Sequence, residues 1–338
     1  MKNKISSIRF EEILNQFSNL KPIIVAGDVG IDKYTFGVVQ RISPEAPVPI
    51  VEVSKEWFKL GLAANISHNL STLGVASTLC GVIGEDKNAN LFEELLENEK
   101  LKTWGLVRDG TRITTYKERV TTNLQQVCRI DYESTEKIDP EIEKKVFERI
   151  IDFSKNHSAI IIEDYAKGLL TKNLITSLIK EFKNQKKLIA VDPGRTTPPL
   201  YYKGATLLKP NLAEAKIMVE QLGYTEKNLD KLADILIDKL ELEKLVITLG
   251  PEGMALKDIN IHDKLKIIPT VAHEVFDVSG AGDTAISALT ASLLAGATLE
   301  EAAWVGNCAS GVVVGKKGTV AVKIEELKNF YKNLNQEN

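Results

Sequence analysis

Short β-branched runs alternate along the chain with stretches whose apolar residues recur every three to four positions. "PIIVAG" (22–27), "AIIIED" (159–164), "KLIAVD" (187–192), "ATLLKP" (205–210) and "KLVITLG" (244–250) predict buried strands. Between them, 138–156, 171–185 and 229–240 carry helical periodicity. That alternation predicts an α/β fold, a mostly parallel sheet with helices on both faces. Ligands of such folds sit beyond the C-terminal strand ends. Asp28, Asp164, Asp192, Asn211 and Gly250 fall at or just after predicted strand ends, so one sheet edge should gather them.

Two segments break the rhythm. Residues 34–56 and 111–131 alternate polar and apolar positions at period two. They predict antiparallel ribbons exposed on one face, which either pair into a small flap over the site edge or merely decorate the sheet edge. At the N-terminus, Ile5, Ile8, Ile13, Leu14 and Phe17 predict one face of a short surface helix, and Glu11 and Glu12 stand where a signal peptide would be apolar.

Composition narrows the class. The chain has 338 residues, 43% hydrophobic and 26% charged, with net charge -3 and no long basic block. Nucleic acid is therefore not expected as a partner. No apolar run reaches the ~20 residues of a membrane span. Cys80, Cys128 and Cys308 are far apart and in no metal-ligand spacing, which predicts reduced thiols in a cytoplasmic protein.

The stretch "DVSGAGDT" (277–284) leads into the apolar run "TAISALTASLLAGA", which predicts a buried helix ending near Gly296. Helix N-termini leave amides unpaired and carry partial positive charge, so this loop suits a phosphate or another developing anion. Asp283, in the first turn, is placed to take a proton from an attacking hydroxyl. An ordinary N-cap with a tight turn fits the same residues. There is no complete dinucleotide fingerprint and no P-loop, which disfavours a nicotinamide-dependent oxidoreductase.

"KPNLAEAK" (209–216) sets Asn211 and Glu214 three apart at a strand-to-helix junction. On one helix face they could hold water around Mg²⁺. The same spacing is that of a capping box, and on spacing alone the capping box is the better reading. "TLGPEG" (248–253) is a glycine turn suited to a nucleotide lying against backbone, or a plain hairpin turn into "MALKD".

Together these segments resemble the PfkB/ribokinase family of carbohydrate kinases. The family's D-x-[ST]-G-A-G-D motif is matched by Asp277 to Asp283, its N-x-x-E by Asn211 and Glu214, and its T-L-G-x-x-G by Thr248 to Gly253. Gly61 and Asn65 match an N-terminal pair four residues apart. The resemblance implies a single ribokinase-like domain over residues 1–335, with 34–56 and 111–131 as its β-lid. It implies that Asp283 is the base, with the amides of Gly280, Ala281, Gly282 and Asp283 as anion hole. Asn211 and Glu214 would organise Mg²⁺ and the ATP phosphates through water. Thr248, Gly250, Gly253 and the region 305–315 would border the nucleotide, and Asp32, Gly61, Asn65 and Asp164 the sugar. A monovalent cation beside the loop and a homodimer through the lid are also implied.

Within the family, "GDVGIDKY", "RISPEAPVPIV", "DYAKG" and "GATLLKPN" look like the kinases of D-glycero-D-manno-heptose 7-phosphate in lipopolysaccharide precursor synthesis. No His-x-Gly-His follows, so kinase activity alone is expected, giving the 1,7-bisphosphate. A phosphorylated substrate calls for cations on the lid side. Lys117, Arg119 and Lys167 are the candidates, with Arg41 and Arg129 on neighbouring segments. Three positions depart from the heptose pattern. Leu60 and Leu62 replace a proline and a glycine beside the sugar, and Gly194 stands where a lysine is common. A kinase for another sugar or a nucleoside is therefore the second expectation, and a catalytically silent sugar-phosphate sensor the third.

Overall fold

A computed structural model describes residues 5–336 apart from 124, 262–263, 273–274, 317 and 319. The strands are β1 (Ile23–Gly27), β2 (Val29–Ile42), β3 (Pro49–Leu62), β4 (Ser77–Ile83), β5 (Leu106–Arg108), β6 (Thr115–Thr121) and β7 (Gln126–Tyr132). They continue as β8 (Ala159–Glu163), β9 (Leu188–Asp192), β10 (Leu207–Leu208), β11 (Lys244–Thr248), β12 (Met254–Asp258) and β13 (Lys266–Ile268). The α-helices are α1 (Ser7–Gln16), α2 (Ala63–Thr72), α3 (Lys87–Asn98), α4 (Pro140–Ser154), α5 (Lys172–Asn184), α6 (Leu212–Gln221), α7 (Leu229–Leu240), α8 (Ala281–Leu294), α9 (Leu299–Val314) and α10 (Ile324–Gln336).

A nine-stranded sheet has the order β13-β12-β11-β10-β9-β8-β1-β4-β5 and is parallel from β5 through β11. Its apolar strands feed two cores at period two. Ile23 and Val25 face one core, against α1, α2, α3, α8, α9 and α10. Ile24 and Ala26 face the other, against α4, α5, α6 and α7. Burial on both faces explains why these strands read as continuous apolar runs.

The two ribbons form a second sheet, β3-β2-β6-β7, antiparallel except for the parallel pair β2–β6. The first ribbon is longer than expected, because only Asp28 separates β1 from β2 and β3 runs directly into α2, while the second starts later than expected, at Thr115. The strand expected over 205–210 shrinks to two residues, since Pro210 cannot donate to a ladder.

The N-terminal helix forms, but with a different buried stripe. Phe10, Ile13, Leu14 and Phe17 are buried, whereas Ile8 is 74% exposed. The buried set follows i, i+3, i+4, i+7, which Ile8 does not. Among the described residues, no helix is long and apolar enough to cross a membrane.

Candidate active site

The parallel register lines up Gly27, Glu163 and Asp192 across β1, β8 and β9. Further along the same edge, Asn211 bridges Thr248. The C-terminal strand ends thus collect the polar residues expected there.

Helix α8 points its N-terminus at this edge. Gly280 is its N-cap at φ 79°, a left-handed conformation that glycine adopts without a Cβ penalty. The Ala281 amide is committed to Val278 O at 3.2 Å, and the Thr284 amide to Gly280 O at 3.0 Å. Between them, the Gly282 and Asp283 amides have no acceptor among the described residues. The amides left open to an anion are therefore fewer than the four expected, because Ala281 is already used.

Asp283 is buried and held from two sides. Asn65 Nδ2 donates to its Oδ2 at 2.6 Å, and the Tyr165 hydroxyl to its Oδ1 at 2.9 Å. Burial pushes the Asp283 carboxyl up to about 6; the Asn65 and Tyr165 hydrogen bonds and Lys209 pull down, while Asp192 pushes further up. A carboxylate that titrates near neutrality is suited to exchanging a proton. Burial and the Asp283 charge push the Tyr165 phenol well above its ordinary value, so it stays a donor.

Behind Asp283 lie two further acids. Oxygens of Glu163, Asp192 and Asp283 fall within 4.8 Å of one another. Lys209 reaches Asp192 Oδ2 at 2.7 Å from a buried position. Burial works against the Lys209 charge, but Asp192 and Glu163 outweigh it. Burial, with Asp192 and Asp283, pushes Glu163 well above the usual carboxylate range. Its Oε2 has no partner among the described residues.

The lid presents a charged face. Lys59, Asp32, Lys117 and Asp131 form one cross-strand row, and Trp57, Tyr34, Arg119 and Arg129 the next. Arg119 Nη1 donates to Asp32 Oδ1 at 2.6 Å and lies over the Tyr34 ring. Gly61 lies against Asp32, whose Cγ would be 3.1 Å from a Cβ there. Lys117 and Lys167 meet on Glu133, at 2.7 and 2.5 Å. Arg129 is exposed and pairs with Asp131, which also lies 3.6 Å from Lys117, so it borders the cluster, whereas Arg41 is exposed at the far end of β2 and does not join it.

On the other side of the α8 N-terminus, a pocket of about 300 Å³ is lined by Thr248, Gly250, Gly253, Asn307 and Gly311, with apolar contributions from Val275, Val278 and Val314. The expected nucleotide border at 248–253 and 305–315 lies here. "TLGPEG" is the β11–β12 hairpin turn, as the plainer reading expects, and its residues line this pocket.

Several candidate residues have their side chains engaged within the protein. Asn211 and Glu214 do form the capping box, each side chain accepting from the other's amide, at 2.9 and 2.8 Å. One oxygen of each is thus spent on the helix start. Asp164 does not face the pocket as a free ligand. It accepts from Tyr202 at 2.6 Å, Thr197 at 2.7 Å and the Ala166 amide at 2.7 Å, which ties two loops together. Leu60 is turned into the core, because period-two alternation sends Gly61 toward Asp32 instead. Leu62 adopts φ 57°, in the region glycine favours. A Cβ at Gly194 would lie 2.8 Å from Asp164 Cγ, so a lysine there requires the loop to shift.

Sequence alone does not single out Tyr165 or Lys209, which lie within "DYAKG" and "KPNLAEAK". The one available signal was a lysine directly after a wholly apolar strand, where a buried charge demands a partner.

Residues 33–326 match the description pfkB family carbohydrate kinase. The bifunctional protein HldE of Citrifermentans bemidjiense is 38% identical over 94% of this chain and 64% of its own length. That of Aliarcobacter butzleri is 39% identical over 94% of this chain and 65% of its own. The chain thus spans about two thirds of the curated relatives it matches. The ribokinase of Thermotoga maritima superposes with TM-score 0.73 at 19% identity, covering 93% of this chain and 100% of that one. Phosphofructokinase-2 from Escherichia coli, in complex with potassium, gives TM-score 0.76 at 19% identity over 94% and 99%. The fold is therefore ribokinase-like, and the chain belongs to the pfkB family of carbohydrate kinases, phosphotransferases that use ATP.

Proposed function

We propose that this chain transfers the γ-phosphoryl group of ATP to the anomeric hydroxyl of D-glycero-D-manno-heptose 7-phosphate, giving the 1,7-bisphosphate of ADP-heptose synthesis. The hydroxyl oxygen attacks the γ-phosphorus in line, the bond to the β,γ-bridging oxygen breaks, ADP leaves, and the hydroxyl proton passes to Asp283. The observation that carries this reading is Asp283, fixed by Asn65 and Tyr165 beside the unpaired Gly282 and Asp283 amides. Phosphoryl transfer needs positioning and charge stabilisation more than covalent chemistry, and these groups supply both.

Asp32 and Gly61 take sugar hydroxyls on this reading, and Arg119 orients Asp32. Lys117 and Lys167 take the 7-phosphate. ATP lies in the pocket between 248–253 and 307–314, its terminal phosphate toward α8. Glu163, Asp192, Asp283 and Glu214 surround a single Lys209, and burial pushes all four carboxyls up. Such a surplus of acid fits a divalent cation. Asn211 and Glu214 would hold Mg²⁺ through water, where it neutralises phosphate charge. The reading also includes a monovalent cation beside residues 277–283, tested by a potassium titration of the rate, a homodimer through the lid, and a single kinase domain over 1–335 in the cytoplasm.

The test is product identification. Incubation with ATP, Mg²⁺ and a panel of sugars and sugar phosphates is followed by phosphorus NMR. Heptose 7-phosphate should give a second, anomeric phosphate signal. Turnover only with an unphosphorylated sugar or a nucleoside contradicts the assignment. It would support the second reading, which Leu62 and Gly194 favour by departing from the heptose pattern beside the sugar loops.

A further inference from the structure

Two ammonium groups from separate elements converge on one carboxylate. Lys117 Nζ donates to Glu133 Oε2 and Lys167 Nζ to Oε1. All three side chains are at most one-fifth exposed. Exposed pairs of long side chains are worth little and wander, but this one is built. Lys167 follows Ala166, a non-glycine residue at φ 54°. Its amide donates to the buried Asp28 at 3.0 Å, and its carbonyl accepts from Arg112 at 2.6 Å. Backbone strain of this kind persists only where the surroundings over-determine it. Lys117 is fixed on β6, laddered on both sides, directly opposite Asp32.

The pair also lies toward the chemistry. Lys117 neighbours Asp32, and Tyr165, two residues before Lys167, reaches Asp283. Glu133 itself lies just beyond the end of β7, so it can swing away without breaking a ladder. Burial pushes its carboxyl up, but the hydrogen bonds from Lys117 and Lys167 outweigh that and hold it below its ordinary value. Glu133 is therefore an anion across the neutral range.

We propose that Glu133 is a resident counter-ion, standing between Lys117 and Lys167 where a substrate phosphate goes, and that only a dianion displaces it. This rests on the sugar-phosphate reading above. A monoanion that replaces a carboxylate between two ammonium groups gains no charge. A phosphate dianion gains one, plus a third oxygen to accept hydrogen bonds. Glu133 thereby keeps two half-buried ammonium groups satisfied while the site is empty, and selects phosphorylated substrates when it fills.

The probe is inorganic phosphate, titrated calorimetrically into the full chain without nucleotide. Glu133→Gln keeps the shape and removes the charge, so its dissociation constant for phosphate should fall about tenfold, or about 1.4 kcal/mol. Nitrate, a monoanion, should bind this variant and not the wild type. Glu133→Asp, which retains the charge, should stay near wild type and guards against a merely structural effect. Adding Lys117→Ala to Glu133→Gln should erase the gain. Phosphate binding by Glu133→Gln no tighter than wild type overturns the proposal, as does a gain that survives Lys117→Ala. Failure of the substrate reading looks different: the phosphate gain appears, but no sugar phosphate in the panel is turned over.

Discussion

Asn65 Nδ2 lies 2.6 Å from Asp283 Oδ2, joining α2 to the first turn of α8 across 218 positions of sequence. The contact orients the carboxylate and favours its charged form. It also means that Asp283 and the lid share one support, since α2 begins where β3 ends.

The first consequence is a pH profile. Asp283 must be ionised to accept a proton, and its carboxyl lies at about 6. kcat/KM should fall as pH drops below about 6 and level off above it. Asn65→Ala and Tyr165→Phe each remove a donor to the charged form, so each should move the acid limb to higher pH. Profiles from about pH 5 to about pH 9 check this. A limb that stays in place in both variants would assign the titration to another group.

Lys209 provides a stability test. It is the buried ammonium among Glu163, Asp192 and Asp283. Lys209→Met should destabilise the fold by about 3–5 kcal/mol, the cost of leaving a buried charge unpaired. The sign of its pH dependence follows. Without the ammonium, the folded-state pKa values of these acids rise further above their unfolded ones. The folded state then binds protons more tightly than the unfolded, so lowering the pH toward about 4 should recover stability. Denaturant melts at two pH values measure it.

The opposite face of the lid sets exposed apolar side chains around an ion pair, with Phe58, Lys33, Glu118 and Ile130 in one cross-strand row. Val53, Phe58 and Ile130 are 54%, 37% and 41% exposed. If the lid pairs between subunits, the chain should sediment as a dimer and Ile130→Asp should shift it toward monomer. A wild-type monomer at micromolar concentration contradicts the lid dimer.

The fold was legible because the strands of its main sheet are buried on both faces and helices such as α4, α5 and α7 on one, and both patterns are local. The gathering of Asp28, Asp164, Asp192, Asn211 and Gly250 at one edge followed from topology alone. The partners of Asp283 were harder to see. Tyr165 reaches it from 118 positions away and Asn65 from 218, and nothing in local spacing encodes such contacts. Asp164 misled for the converse reason. A carboxylate at a strand end looks like a ligand until Tyr202 and Thr197 are found on it. Ile8 misled because a short helix can be read with two registers, and only packing against α10 through Phe10 and Tyr331 selects one.

The most direct test of the account is the turnover of Asp283→Asn, measured beside its dissociation constant for ATP. The base assignment predicts a loss of ~10²–10⁴ in kcat with ATP affinity retained. Thermal stability should hold, since the substitution removes a desolvated charge. Near wild-type turnover with unchanged ATP binding would contradict the claim that Asp283 takes the proton.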